Sequence, residues 1–384
     1  MKNKGIFNKH HNQIIEKVFP KVVAFGCNHK NMLGLVRSLG EKGIRPHCVL
    51  LNRKEGLVFS SKYPESCYWA ETPEKGLSYI METFSGEKEK PILLSSDDIT
   101  ETLFDKHATE LREHFVVPAA DEDGKLTYYM DKQHIGEYAA KFGFKTPVTR
   151  LFRNGDVIDA DLKYPVFTKS VKSIDGSKHE ERKCANIYEL KNALQECKQG
   201  ELLVQQYIEK KDEIDFIGYV ANGHVYIPYI QHQLRFSDHA YGGYHKFDQI
   251  IDDDLVLRVK ELLKGLKFQG LFSVEFLVDK DDEWYFTEVN FRHDGHAYLL
   301  TAAGCNIPYL YCCAVTGKGC GMPSIRKSFT GMNEPVDFEQ FVKTRKIPLM
   351  KWVWQFMTVD TRILWNWKDN GPIWYMVKKT LLRK

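Results

Sequence analysis

The sequence lacks the long apolar runs that mark membrane proteins. No stretch of the 384 residues approaches the roughly 18 consecutive apolar residues that a membrane-spanning helix needs. Charged residues interrupt the first twenty positions, so the apolar core of a secretory signal is missing too. The hydrophobic fraction of 43% is ordinary for a globular chain long enough for two or three domains. These features predict a cytoplasmic protein.

Paired cysteines and the common nucleotide-binding motifs are also missing. The nine cysteines are scattered without CxxC spacing, which favours reduced thiols over a disulfide framework or a zinc site. The N-terminal glycines do not form GxGxxG, and neither GxxxxGK[ST] nor an HRD catalytic loop occurs. A dinucleotide-binding enzyme, a P-loop enzyme and a protein kinase are therefore disfavoured.

The chain has little net charge, but that charge is unevenly distributed. The total is +3, whereas residues 341–384 hold ten Lys/Arg and two Asp/Glu, so residues 1–340 carry −5. An acidic body of this kind excludes a general nucleic-acid-binding protein. The basic tail holds five of the seven tryptophans and an apolar stripe at Ile373, Val377 and Leu381. Such a stripe can contact the inner face of an anionic membrane, the protein's own core or a second subunit, and all three alternatives stay open.

Short apolar runs alternate with helical patterns in the first third of the chain. Residues 21–27, 46–51, 92–95 and 115–118 read as strands, with a helix over 32–39. This alternation predicts an open parallel sheet that binds ligands at its carboxyl edge. Segments 26–29 and 95–98 occupy that edge, as part of a substrate pocket or as ordinary strand–helix turns.

The most informative stretch is 268–296. Two strand-like runs, Leu271–Asp279 and Trp284–Phe291, flank a turn centred on 281–282, which predicts a hairpin. Glu275 then lies opposite Glu288, although like charges repel across a ladder. A divalent cation removes that objection, and two carboxylates with the amide of Asn290 suit Mg²⁺. Strict alternation would put one set of side chains on a common face: Trp284, Phe286, Glu288, Asn290 and Arg292.

Residues 274–276 and 286–292 resemble the metal-binding signature of the ATP-grasp superfamily, especially its carboxylate–amine ligases and short proteins similar to D-aspartate ligase. The resemblance covers roughly residues 20–325. It implies an α/β plus α+β fold, with a Rossmann-like pre-ATP-grasp domain over 1–125. A two-subdomain ATP-grasp domain over 126–325 would hold the nucleotide between two sheets, and 326–384 would be a basic, Trp-rich extension.

Further segments match the same family. Met130-Asp131-Lys132 resembles its M-D-K motif, in which Asp131 is expected to cap a helix through about Lys141. Residues 164–169 resemble its Y-P-x-x-x-K strand, and 201–220 its hinge. Taken alone, Lys132 could be a surface lysine and 201–220 an edge hairpin with a charged tip.

The resemblance implies roles for individual residues. ATP and Mg²⁺ are the expected cofactors, with Mn²⁺ as a substitute, and Glu275, Glu288 and Asn290 are the expected metal ligands. The expected nucleotide contacts are Lys132, Lys169, Gly176, Ser177, Gln206, Tyr207, Ile208 and Glu213. Asp212 competes with Glu213 for the ribose because the turn is uncertain by one residue. The residues expected to act on the transferred phosphoryl group are Arg292, Lys169 and Arg235. For Arg235, a position in an ordinary solvated loop is an equally good interpretation. His293, Asp294 and His296 fit substrate-facing loop positions better than a zinc site.

The implied activity is ATP-dependent joining of a small-molecule carboxylate to an amine through an acyl-phosphate. An amino acid and a cell-envelope or secondary-metabolite precursor would be the substrates. The alternative is a catalytically silent ATP-binding scaffold that docks to a membrane or a protein through its tail. No nucleic-acid partner is expected, and a homo-oligomer stays open.

Overall fold

The computed structural model describes residues 19–158, 161–169, 181–197, 200–236, 242–250, 254–321 and 323–382. Within these residues no helix combines the length and the hydropathy needed to cross a bilayer. All nine cysteines lie in the described part of the chain, and none forms a disulfide.

The first unit is a parallel sheet flanked by helices. Its strands are β1 (Val22–Cys27), β2 (His47–Leu51), β3 (Ser66–Trp69) and β4 (Ile92–Ser95), in the spatial order β3-β2-β1-β4. Its helices are α1 (Lys30–Gly40), α2 (Pro73–Phe84), α3 (Asp98–Lys106), α4 (Ala108–His114) and α5 (Lys125–Tyr129). The predicted parallel sheet is confirmed, with two differences. The expected strand at 115–118 forms only a bridge from Val116 to Ile92, and the half-exposed edge strand β3 was not predicted.

The second unit is a small antiparallel sheet. Its elements are α6 (Lys132–Ala140), β5 (Thr149–Arg153), β6 (Val166–Lys169), β7 (Arg182–Cys184), α7 (Ile187–Glu196) and β8 (Glu201–Gln206), with the strands in the order β5-β8-β6-β7. The predicted cap of α6 is confirmed, since the Asp131 carboxylate accepts from the backbone N–H groups of Gln133 and His134 at 2.8 and 3.2 Å.

The third unit is a large, mostly antiparallel sheet. Its strands are β9 (Lys210–Ala221), β10 (His224–Tyr226), β11 (Tyr229–Gln233), β12 (Tyr244–Gln249), β13 (Gly270–Asp279), β14 (Trp284–Asn290), β15 (Ser328–Met332) and β16 (Thr361–Arg362). They follow the order β14-β13-β9-β11-β12-β15-β16, with β10 on β9. Its helices are α8 (Asp254–Gly265), α9 (Ala297–Ala302), α10 (Ile307–Thr316), α11 (Glu334–Asp337), α12 (Leu349–Thr358) and α13 (Gly371–Leu382), with a π-helical turn at Phe338–Val342.

Two connections differ from simple expectations. Strands β8 and β9 follow each other in the chain but belong to different sheets, so 201–220 is not an edge hairpin. The intervening residues 207–209 join the two sheets, as a hinge would. Strand β15, in the segment expected to be an extension, pairs with β12, so residues 326–384 are not separate from the central sheet.

The large sheet packs on both faces. Phe272, Val274 and Phe276 face the apolar side chains of α6 and α8. On the other face, Leu271 and Phe247 belong to a core that includes α1, α9, α10 and one side of the parallel sheet. This second face therefore brings the first unit against the large sheet.

A buried ion pair fixes the C-terminal segment to the first unit. Arg37 on α1 and Asp369 have side chains that are 0% and 1% exposed, with Nε–Oδ2 at 2.8 Å. Arg37 also donates to the carbonyls of Ile363 and Leu364 at 2.8 and 3.0 Å. The segment before α13 is therefore held against α1 by a fully desolvated guanidinium.

Candidate nucleotide and metal site

The predicted pairing of Glu275 with Glu288 is confirmed, but it arises differently from what the sequence predicts. Close to the turn, Val278 pairs with Trp284, which centres the turn on 281 and not between 281 and 282. In a regular ladder Thr287 would then lie opposite Glu275. The register instead shifts beyond Phe276 by one residue, as in a β-bulge, and the Thr287 hydroxyl donates to the Glu275 carbonyl at 3.0 Å.

The bulge also divides β14 between the two faces of the sheet. Phe286 pairs with Phe276 and packs in the core beneath α6 and α8, whereas Glu288 pairs with Glu275 on the opposite face. The expectation that Trp284, Phe286, Glu288, Asn290 and Arg292 share one face is therefore wrong. Side chains alternate strictly only in a regular strand, and the extra residue resets that alternation.

Three carboxylates lie in one row across adjacent strands. The register pairs Glu288 with Glu275, and Glu275 with Asp215 on β9. Gln231 on β11 continues the row, and its amide donates to Asp215 at 2.5 Å. Sequence reasoning missed Asp215, although a signal existed. Asp215 lies two residues after Glu213 in a strand, so the two side chains point to the same face.

Two lysines from different elements converge on Glu288. Lys132 Nζ, at the start of α6, lies 3.2 Å from Glu288 Oε2, and the Lys132 side chain is only 14% exposed, so it is not a surface lysine. Burial disfavours the ionised carboxylate, but Lys132 and Lys169 outweigh it and lower the pKa of Glu288 to about 2. Burial, reinforced by the charge of Lys132, lowers the pKa of Lys169. The two predicted phosphate-binding lysines therefore meet the predicted metal face.

Glu275 is in the opposite electrostatic situation. Burial, with the charges of Glu288 and Asp215, raises its pKa well above the usual range. Burial and the charge of Asp294 do the same for Asp215. Without an added cation, the protonated form of these two carboxyl groups is favoured. A cation bound at the row would therefore be stabilised electrostatically.

The donor atoms of the row suit Mg²⁺. Carboxylate and amide oxygens are the hard ligands that this ion prefers. Asn290 Nδ2 donates to Glu275 Oε1 at 2.7 Å, and Asn290 Oδ1 accepts from Arg292 at 2.9 Å. In the described part of the chain, no three His, Cys, Asp or Glu side chains are grouped closely enough to hold a metal ion by themselves. Mg²⁺ normally completes such a partial protein shell with water and phosphate oxygens.

Arg292 links the carboxylate row to the first unit. Its Nε donates to Asp98 at 3.2 Å, and its Nη1 lies 3.4 Å from Asp294. Burial disfavours its charge, but Asp98, Asp294 and the row outweigh that effect and raise its pKa. The guanidinium is therefore charged and held in a fixed orientation.

The carboxyl edge of the parallel sheet lies at this site. Gly26 allows the close approach of β1 and the loop that follows β4, since a Cβ there would lie 2.1 Å from Ser96 Oγ. Asp97 caps α3 and accepts from the Cys27 backbone at 2.6 Å, so its role is structural. Asp98 is the residue of segment 95–98 that reaches the site, through Arg292.

The three loop residues after Arg292 separate into two groups. Asp294 accepts from Ser273 Oγ at 3.2 Å and from the His296 backbone at 2.7 Å, and His296 contacts Gln231 at 3.2 Å. Both residues therefore border the carboxylate row. His293 is 1% exposed, and burial lowers its pKa to about 3. The expectation that His293 faces a substrate is wrong, because the ring is a neutral part of the core.

Comparison with solved structures finds this architecture elsewhere. The L-amino acid ligase from Bacillus licheniformis has a TM-score of 0.62 at 18% identity, over 82% of this chain and 79% of that chain. N5-carboxyaminoimidazole synthetase from Staphylococcus aureus has a TM-score of 0.65 at 15% identity, over 86% and 87%. The protein has the ATP-grasp fold. Biotin carboxylase from Campylobacter jejuni, in a complex with β-γ-ATP, has a TM-score of 0.61 at 15% identity, over 80% and 74%. The sequence itself matches no protein-family profile and no curated protein.

The segment predicted to be the hinge runs from the end of β8 to the start of β9. The Gln206 backbone donates to Val148 at 2.8 Å, the Tyr207 ring lies 4.2 Å from Lys183 Nζ, and Ile208 is buried. These residues lie between the two sheets, while Gly176 and Ser177 lie outside the described residues.

The geometry distinguishes the two candidates for the ribose. Glu213 pairs with Leu277 and shares the face of Glu275, whereas Asp212 pairs with Val278 on the opposite face. The Asp212 carboxylate contacts His232 Nδ1 at 2.7 Å and the Gln233 backbone at 3.2 Å. Glu213, paired with Lys210 at 2.5 Å, is therefore the acid on the site face of the ATP-grasp sheet.

Arg235 is not placed with the carboxylate row. Its guanidinium forms an ion pair with the fully buried Asp337, contacts Gln355 on α12, and lies 4.6 Å from the Tyr244 ring. The expected role of Arg235 on the phosphoryl group needs correction, because its charge is already used to attach the C-terminal segment. Asp337 and Gln355 lie more than 100 residues from Arg235 in the sequence, so no local pattern shows these contacts.

Proposed function

We propose that this ATP-grasp protein is an ATP-dependent carboxylate–amine ligase that forms an amide through an acyl-phosphate and releases ADP and phosphate. One observation carries the proposal. Lys132, Lys169 and Arg292, from three separate parts of the chain, surround the opposed pair Glu275–Glu288. Buried cations around acidic oxygen ligands are what a site for polyanionic phosphates with Mg²⁺ requires.

Different residues of the site would have different roles in phosphoryl transfer. Glu275, Glu288 and Asn290 would hold Mg²⁺, which when bound neutralises charge on phosphate oxygens. Lys132 and Lys169 would contact the phosphates as point charges, and Arg292 would hold the transferred group with its planar fork. Asp98 and Asp294 keep that fork oriented before substrate arrives. Adenine would lie at Gln206–Ile208, and Glu213 would accept from the ribose.

The chemistry requires two displacements. A substrate carboxylate oxygen bonds to the γ-phosphorus while ADP leaves, and an amine nitrogen then bonds to the acyl carbon while phosphate and a proton leave. Neither step needs a covalent enzyme intermediate. Small-molecule substrates fit this scheme, with an amino acid as one of them and a cell-envelope or secondary-metabolite precursor as the other. We place the reaction in the cytoplasm or at the inner face of the membrane.

The test is incubation of the full chain with ATP, Mg²⁺ and pooled amino acids as both acids and amines. We expect phosphate release that depends on the amine, with one amide formed per ADP. Lys169→Met should abolish release, whereas Lys191→Met, at an exposed position of α7, should not. ATP binding without release across broad panels would overturn the ligase and favour the second candidate, a silent ATP-binding scaffold. The exposed apolar tail is the observation that favours that alternative.

A further inference from the structure

The C-terminal segment exposes apolar side chains that the fold does not cover. In the described part of the chain, nineteen large apolar residues are exposed, and ten of them lie between 349 and 382. Helix α12 has no buried residue at all. Met350, Val353, Trp354 and Met357 recur at helical spacing and form one outward stripe. Such a concentration on one helix marks an interaction surface.

Helix α12 is nevertheless firmly attached by its inner side. Trp352 donates to the buried Asp337 at 2.9 Å, and its ring stacks on Phe356 with centroids 5.4 Å apart. Phe356 contacts Trp365, which contacts the exposed Trp367 at 4.9 Å. The outward stripe is thus held in place by an aromatic underside. We call Met350, Val353, Trp354, Met357 and Trp367 the α12 surface.

Charge identifies the partner that fits the α12 surface. Neither α12 nor α13 contains an acidic residue, and four exposed basic residues lie within five positions of the α12 surface in the sequence: Arg345, Lys346, Lys351 and Lys368. Of the two acids in 341–384, Asp369 is buried against Arg37, and Asp360 pairs with Arg326. Apolar and aromatic side chains bordered by basic ones are the pattern of a helix that lies in an anionic membrane interface.

The same charge argues against other occupants. A second copy in a twofold dimer would bring this basic patch against itself, which like charges oppose. Residues 1–18 of the chain contain four lysines and one glutamate, so they carry the same sign of charge. Anionic lipid is the complementary surface.

We infer that the α12 surface docks on an anionic membrane, with Trp354, Met350 and Met357 entering the interface and the basic residues contacting lipid headgroups. Arg235, two residues after the end of β11, contacts Gln355 of α12, so this helix is attached directly to the large sheet. The inference goes beyond the proposed function and does not depend on catalysis.

The test is flotation of the full chain, without nucleotide, on vesicles of phosphatidylcholine alone or with phosphatidylglycerol. We expect binding to the anionic vesicles that weakens in high salt, roughly a hundredfold tighter than to neutral vesicles if three basic residues engage. Met350→Ser/Trp354→Ser/Met357→Ser should reduce binding at least tenfold. The matched control is Val157→Ser/Tyr188→Ser/Leu257→Ser, since those side chains are 90%, 76% and 52% exposed against 80%, 65% and 68% for the α12 set.

Several outcomes would overturn the inference. Equal vesicle binding by the two triple variants would remove the α12 surface from the interaction. Absence of binding to anionic vesicles would exclude the lipid partner and leave a protein partner. A wild-type dimer that the α12 triple variant converts to a monomer would identify a second copy as the occupant. Because no nucleotide is present, none of these results depends on whether the ligase proposal holds.

Discussion

At the scale of single residues, Glu275 and Glu288 face each other with opposite preferences for the proton. Glu288 is kept ionised by Lys132 and Lys169, whereas burial and neighbouring carboxylates favour the protonated form of Glu275. A cation bound between them must displace the proton from Glu275. Metal binding and protonation therefore compete at this pair.

This competition predicts a pH-dependent difference in stability. Above its ordinary pKa of 4.5 and below its raised pKa, folded Glu275 keeps a proton that the unfolded chain has released, so stability falls as pH rises. Glu275→Gln has no proton to lose. In metal-free urea denaturation, we expect the difference in unfolding free energy, variant minus wild type, to increase as the pH rises from about 5 to about 8. A difference that stays constant with pH would contradict the raised pKa.

Arg292 offers a second test at this scale. Its three nitrogens contact Asp98, Asp294 and Asn290, a geometry that a lysine ammonium cannot reproduce. Arg292→Lys should lower kcat by roughly a hundredfold or more, as the loss of a charge-stabilising donor usually does. Arg150→Lys, at an exposed ion pair, is the matched control and should keep full activity. Equal steady-state rates for the two variants would remove Arg292 from the reaction.

At the scale of elements, the β-bulge decides which side chains of β14 lie on the face of the carboxylate row. The sequence predicts the hairpin, the capped helix α6 and the apolar faces of α8 and β13, because each depends on local periodicity. The bulge at Thr287 was not predictable, since it depends on where the turn closes. The pairing is retained because the turn is centred half a residue earlier, which shifts the register by one residue, and the bulge adds that residue back.

Two single-residue deletions distinguish the loss of the bulge itself from a change in the face that Phe286 occupies. Removing Thr287 leaves a regular ladder in which Glu288 follows Phe286 and still pairs with Glu275, so we expect a loss of at most about 2 kcal/mol. Removing Tyr285 instead rotates Phe286 out of the core, where it is 1% exposed, and should cost about 3 kcal/mol or more. Urea denaturation measures both losses. Equal losses for the two deletions would refute the assigned register.

At the scale of the whole molecule, long-range pairs assemble the site and attach the tail. Asp98 reaches Arg292 across 194 residues, and Arg235 reaches Asp337 across 102. The sequence resemblance brought Lys132, Lys169, Glu275, Glu288 and Arg292 together correctly. Arg235 was expected on the phosphoryl group, and Asp98 only as part of segment 95–98 at the sheet edge. Their partners Asp337 and Arg292 could not be predicted, because contacts between distant segments leave no local periodicity or motif.

The buried pair Arg37–Asp369 tests the attachment of the tail. Arg37→Met leaves a buried carboxylate without its partner and should cost about 3–5 kcal/mol of unfolding free energy. Arg45 and Glu65 form a matched control at the same 2.8 Å, but with side chains 56% and 53% exposed. Arg45→Met should therefore cost no more than about 1 kcal/mol in the same urea denaturation. Similar costs for the two variants would mean that the tail is not fixed by this contact.

The central claim is that the facing carboxylates Glu275 and Glu288 form a metal–nucleotide site. Its most direct test is electron paramagnetic resonance of Mn²⁺, a substitute for Mg²⁺ at oxygen ligands, titrated into the full chain with ADP. We expect nucleotide-dependent Mn²⁺ binding by wild type and by Glu283→Gln, whose exposed side chain lies at the tip of the same hairpin. Glu275→Gln/Glu288→Gln should bind at least tenfold more weakly. Unchanged Mn²⁺ affinity in that double variant would contradict the account.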